Sequence, residues 1–143
     1  MPTLRHVCLL LWCLALGFSP SAMAAGIVVI GHSDVPKMDA HTITKLYTGR
    51  FVAVAGIPII PVATRPGTPE RMQFLQQFLQ QDEDKYTAYW TVRRYIGKGI
   101  PPTTLGSTAE VLRFVQSTPG AIGYVFEHDA PAGIRIVARQ AGL

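Results

Sequence analysis

Arg65, Gly67, Thr68 and Arg71 stand together in the stretch TRPGTPER (64–71), between an apolar run over 57–63 and a periodic segment carrying Met72, Leu75 and Leu79. A strand-to-helix joint of this kind suits an oxyanion, because the first amides of a helix lack intrahelical acceptors and the helix dipole adds partial positive charge. Thr68 is the expected N-cap, and Pro69 takes the first helical position, where its missing N–H costs nothing. Gly67 lets the backbone approach a guest closely, and Arg65 and Arg71 offer charge-assisted bonds. The same residues also make an ordinary turn and helix start, since Thr-Pro opens helices and Pro-Gly turns chains. Glu70 favours that second reading: a carboxylate in the first turn already offsets the dipole and repels an anion.

Other chemistry finds little support. His32-Ser33-Asp34 holds the residue types of a hydrolase triad, but neighbours on a strand point to opposite faces and do not converge. His41 and His128 have no companion ligand at metal spacing, so neither a metal nor a cofactor is expected. Gly97-Lys98-Gly99 lacks the rest of a Gly-x-x-x-x-Gly-Lys-Ser/Thr loop and reads as a helix end with a dipole-complementing Lys. The expectation is a protein that is not an enzyme.

The elements that must position the joint follow from periodicity. Ile27 to Ile30 is an uninterrupted β-branched run, as expected of a strand buried on both faces and central in a sheet. Asp39 caps a short helix through Ile43, Leu46 and Tyr47 that Gly49 ends. A strand is expected near 59–63 and a helix over about 69–80, with Met72, Leu75 and Leu79 on its inner face. Acids at 82–84 and bases at 93, 94 and 98 bracket a helix ending near Ile96, followed by a loop over 99–106. Ser107 and Glu110 form a capping box for a helix closed by Pro119-Gly120, and two strands, 121–126 and 134–138, finish the chain. Strands alternating with helices predict an α/β fold with a mainly parallel sheet of about four to five strands flanked by helices, whose ligands meet the C-terminal ends of strands.

Residues 1–24 read as a cleaved export signal. Arg5 precedes an apolar run from Val7 to Phe18, followed by small residues that offer a cleavage site near Ala24-Ala25. The run is too short to span a bilayer, so a periplasmic or secreted protein without stable membrane insertion is expected, with residues 25–143 as one domain. Cys8 and Cys13 both fall in the signal, leaving no disulfide to the mature chain. Twelve Lys and Arg then face nine Asp and Glu, a net charge of +3, and no basic run exceeds Arg93-Arg94. That excludes the footprint a nucleic-acid backbone demands.

TITKLYTGR (42–50), IIPVATRPGTPERMQF (59–74), AYWTVRRYIGKGIPP (88–102) and VLRFVQSTPGAIGYV (111–125) resemble, in that order, the phosphate-type periplasmic substrate-binding protein family (PBP-like), and within it one lobe, as in a short single-lobe branch. The likeness runs from about Ile27 to Val125. It implies that an Arg at the strand end and a following Ser-Gly-Thr hold the oxyanion. Arg65 matches the Arg. If Phe74 matches the family's helix aromatic, Thr68 falls on the Ser, Pro69 on the Gly and Glu70 on the Thr; matching Gly67-Thr68 to Gly-Thr instead leaves Pro66 at the Ser. Arg65, Thr68 and Gly67 carry over, and the motif is degraded either way.

The family closes two lobes over its ligand, and this chain has length for one. A micromolar receptor needs about 8 kcal/mol, whereas a helix terminus contributes about 0.3–2 and a hydrogen bond to a charged group about 1.5–3. One open lobe should therefore hold phosphate in the millimolar range. The resemblance implies an exported solute-binding-like protein related to phosphate ABC transporters, with phosphate or another small oxyanion bound weakly at the joint. The alternative is an envelope protein-interaction module with a vestigial site, docking on a partner or pairing with itself. Tyr86, Tyr89, Trp90 and Tyr95 are the first surface to consider for it, although aromatics at helical spacing are more often core.

Overall fold

The computed structural model describes residues 26–140. The export signal, its cleavage site, Cys8 and Cys13 lie outside the described residues. Among the described residues, seven strands and four α-helices occur in the order β1 (Ile27–Gly31), α1 (Ala40–Tyr47), β2 (Ala53–Val54), β3 (Ile57–Pro58), β4 (Ile60–Thr64), α2 (Pro69–Phe74), α3 (Glu83–Tyr95), β5 (Thr103–Leu105), α4 (Thr108–Ser117), β6 (Ala121–Phe126) and β7 (Arg135–Arg139). Five strands form one sheet in the order β5-β4-β6-β1-β7. β4 pairs in parallel with both β5 and β6, while β1 pairs antiparallel with both β6 and β7, so four strands share a direction and β1 alone is reversed. This is the α/β, mainly parallel sheet that the alternation of elements predicts.

β1 explains the layering. All five of its residues are buried, and alternate side chains enter different cores. Ile27 and Val29 join Ile43, Tyr47, Phe74, Tyr86 and Trp90 beneath α1, α2 and α3. Val28 and Ile30 join Val111 and Val115 of α4 on the opposite face. A period of two with both faces covered gives a continuous apolar run, and each fully buried Val or Ile contributes about 1.5–3 kcal/mol. α4 sits close on its face because β6 carries Gly123, where a Cβ would come within 2.6 Å of Val111 Cγ1.

The caps at Asp39, Thr68 and Ser107 fall as the sequence places them, and Asp82, read from sequence only as one of three acids at a helix start, is a fourth. Asp39, Thr68, Asp82 and Ser107 each accept from an amide of the first turn of α1, α2, α3 and α4. Other details depart from expectation. The helix after Pro69 changes to a π-helical turn over Leu75–Leu79 and ends at Gln80 with φ 49°, a left-handed non-glycine residue. Met72, expected on the inner face, is 61% exposed, since burial falls on Arg71, Phe74 and Leu75 instead. The expected loop over 99–106 contains edge strand β5, and the apolar stretch before β4 folds into a β2–β3 hairpin turning at Ala55-Gly56, both with positive φ.

Candidate functional site at the β4–α2 joint

β4 keeps its pairing with β6 only at Ile60 and Pro61. Beyond that point two buried tyrosines take over backbone groups of β4: Tyr47 Oη donates to Val62 O at 2.8 Å, and Thr64 N donates to Tyr124 Oη at 3.0 Å. Both rings are stacked or tilted against Phe74 of α2, with Phe74 and Tyr124 4.1 Å apart and 6° from parallel. Strand end and helix start are thus pinned to one aromatic stack. Burial pushes the hydroxyl of Tyr124 up and that of Tyr47 well above the usual phenol range, so both stay protonated hydrogen-bonding groups.

The joint itself is tightly bonded. Thr68 Oγ1 accepts from Arg71 N at 3.4 Å, donates to Arg65 O at 2.9 Å and lies 2.8 Å from Thr64 Oγ1. Thr68 N donates to Arg65 O and Met72 N to Thr68 O. Pro69 has no N–H, so the amides of Gly67 and Glu70 are the ones left without a partner among the described residues. Gly67 needs its residue type: φ is +86°, and nothing lies within 4 Å of where a Cβ would be.

The two arginines separate. Arg71 is buried, and its guanidinium reaches Glu83 through Nε–Oε2 at 2.7 Å and Nη2–Oε1 at 2.8 Å, while Nη1 donates to Thr64 O at 3.0 Å. A fork–fork pair of this kind uses the planar face that would otherwise meet an oxyanion. Arg71, an expected ligand group, is therefore committed to the protein, and the proposed anion site has to do without it. Arg65 is exposed. Parallel pairing of Thr64 with Leu105 brings Gly106 alongside, and a Cβ on Gly106 would lie 3.3 Å from Arg65 Nη2 and 3.1 Å from Glu110 Oε2.

Two helix starts therefore flank Arg65, at Thr68 and at Ser107, and each carries its own acid. Glu110 Oε2 accepts from Gly106 N at 2.6 Å, one residue earlier than in the usual capping box. Glu70 sits half-buried in the first turn of α2. A concavity of about 760 Å³ is lined by Gly67 itself and by Met72, Leu75 and Gln76, together with Asp82, Glu83 and Asp84. Its acids oppose an anion there, and Arg65 is not among the residues that line it. Neither this concavity nor β5 was foreseen from sequence; the three acids at the start of α3 were the available signal.

Elsewhere, the structure does bring His32 and Asp34 together, at 2.6 Å. They lie past the end of β1 in a turn, where the strand rule that argued against their meeting no longer applies. Asp34 Oδ1 also accepts from Gly120 N at 3.1 Å. That amide first, and His32 after it, hold the Asp34 carboxyl below its ordinary range. The pair ties the β1–α1 turn to the start of β6. Among the described residues no group of three or more His, Cys, Asp or Glu is placed to hold a metal, and no helix is long and apolar enough to cross a membrane.

No family model matches the chain. No curated protein matches it significantly in sequence. Solved structures do match in shape. A protein from Clostridium perfringens described as a phosphate ABC transporter substrate-binding protein, solved with bound phosphate, is similar over 78% of this chain with TM-score 0.61 and 18% identity. An ABC-type phosphate transport receptor from Vibrio cholerae is similar over 81% with TM-score 0.61 and 12% identity. The fold is that of a substrate-binding-protein lobe. This chain spans 44% and 48% of those two proteins, less than half of either.

Proposed function

We propose that this chain is an exported, non-enzymatic oxyanion-binding lobe, with a weak phosphate-class subsite made by the Arg65 guanidinium and the amides of Gly67 and Glu70. The observation that carries the reading is the exposed Arg65 beside an open, positive-φ Gly67 at the C-terminal end of a parallel strand. That is where such folds take ligands, and one structural neighbour holds phosphate. Thr68 shapes the site as a cap, its hydroxyl engaged internally. With Arg71 engaged and Glu70 opposing, affinity falls in the millimolar range. Export rests on the leader-like segment over 1–24. Calorimetry of residues 25–143 with phosphate and sulfate at tens of millimolar, against matched chloride, tests the reading. Heat lost in Arg65→Ala and increased in Glu70→Gln supports it; no heat in the parent chain removes it.

A second reading, an envelope interaction module whose anion site is vestigial, is favoured by one observation: Tyr95, at the end of α3, is 91% exposed amid other exposed apolar side chains. Tyr86 and Trp90, from the same aromatic group, are buried instead and belong to the core.

A further inference from the structure

A second concentration of positive charge lies at the other end of the sheet. β1 runs against β4, so its C-terminal residues and the start of β7 lie opposite the end that carries Arg65. There Ser33, Lys37, Gly133, Ile134, Arg135 and Ile136 line a concavity of about 450 Å³. It adjoins a smaller one of about 290 Å³ that shares Ser33, Gly133, Ile134 and Arg135 with it.

Neither cation in this cleft is engaged by an acid. Among the described residues the ion pairs use His32, Arg71, His128 and Arg139, and Lys37 and Arg135 have no carboxylate partner. Arg135 Nε donates to the carbonyl oxygen of Val35, a fully buried residue. That bond anchors the guanidinium and leaves its two terminal nitrogens for a guest, an arrangement suited to the two oxygens of a carboxylate. The acids adjacent in sequence are turned elsewhere: Asp34 Oδ1 meets Gly120 N and His32 Nδ1, and Asp39 Oδ1 accepts from Thr42 N at the start of α1. Among the described residues no carboxylate lines either concavity. Ser33 is exposed and adds a hydroxyl donor.

Ile134 and Ile136, both half-buried, give the larger concavity an apolar part. Two cations in one concavity call for two anionic groups on one guest, and the isoleucines beside them call for carbon between those groups. Pyrophosphate meets the first requirement and not the second. We infer that this cleft binds a small aliphatic dicarboxylate, with one carboxylate on Arg135 and the other on Lys37. The site goes beyond the anion subsite at Arg65 and is independent of it.

Calorimetry of residues 25–143 carrying Arg65→Ala tests it, because that background takes the phosphate subsite out of the measurement. Succinate should bind in the millimolar range at low salt, and acetate at least about tenfold more weakly, since it lacks the second linked charge. Lys37→Glu and Arg135→Gln should each weaken succinate binding at least about tenfold. Lys37 is exposed, so its variant keeps the test open if loss of the Val35 bond unfolds Arg135→Gln; an unchanged thermal midpoint confirms that it folds. Acetate bound as well as succinate, or a succinate heat indifferent to Lys37→Glu, overturns the inference. Pyrophosphate bound more tightly than succinate also overturns it, by making the cleft a phosphate site. No heat with succinate at tens of millimolar removes the dicarboxylate site and leaves the phosphate reading of the parent chain untouched.

Discussion

Arg71 and Glu83 face each other through two parallel hydrogen bonds of 2.7 and 2.8 Å, joining the first turn of α2 to the first turn of α3. The pair fixes the angle at which the two helices leave the joint and keeps a buried guanidinium satisfied.

Glu83→Ala should therefore destabilise the fold strongly. Removing one partner of a buried pair costs about 3–5 kcal/mol, and the partial exposure of Glu83, whose side chain is 29% accessible, places the loss at the lower end. Urea unfolding measures it. A loss below about 0.5 kcal/mol, the scale of an ordinary surface substitution, would show that Arg71 is easily released.

Thr68→Ala and Arg65→Ala should separate stability from anion response. The Thr68 hydroxyl makes its bonds within the joint, so its removal should cost about 1 kcal/mol of stability and leave the heat of phosphate addition in place. Arg65 is exposed and should behave in reverse, losing the heat while the unfolding midpoint holds. Equal effects of both substitutions on phosphate would place the hydroxyl at the ligand.

Gly120→Ala probes the seam between β4 and β6. A Cβ there would stand 2.2 Å from the carbonyl oxygen of Pro58, at φ +78°. Left-handed backbone costs about 1–2 kcal/mol for an L side chain, and overpacking about 1–3 more. A loss of about 2–5 kcal/mol in thermal or chemical unfolding is expected.

Alkaline titration should report the aromatic stack. Burial pushes the Tyr86 hydroxyl up to about 12 from an ordinary value of 10.0, and raises Tyr47 and Tyr124 as well. With folded values above unfolded ones, these groups contribute stability that is fully present below about pH 10 and lost as pH climbs through about 12. Tyr86 accounts for on the order of 2–3 kcal/mol of that. Tyrosinate absorbance should therefore rise in step with loss of far-UV helix signal, whereas buried tyrosines that ionise before the helices melt would contradict the assignment.

Much of this architecture was legible because local chemistry and tertiary structure agree. Asp39, Thr68 and Ser107 cap where their residue types predict, and the Ile27–Ile30 run is buried on both faces. The reversed direction of β1 was not legible, since a fully buried strand looks the same whichever way it runs. Thr103 to Leu105 hid behind Pro101-Pro102, its strand character arising only from pairing with β4. Met72 fits the helical stripe, yet the buried Arg71–Glu83 pair takes its place at the interior, a trade that depends on a residue twelve positions away. At the joint, sequence does not distinguish an arginine engaged by a carboxylate twelve positions away from an exposed one.

The reversal of β1 has a topological consequence. Because β1 lies between β6 and β7, Val28 is paired with Arg139, and the chain enters and leaves the described fold at neighbouring points. Those points share the end of the sheet on which β4 runs into Arg65. A module with adjacent entry and exit can be spliced into a surface loop of a host protein, or reopened at the Ala55-Gly56 turn once Gly26 and Gln140 are bridged, without unthreading any strand.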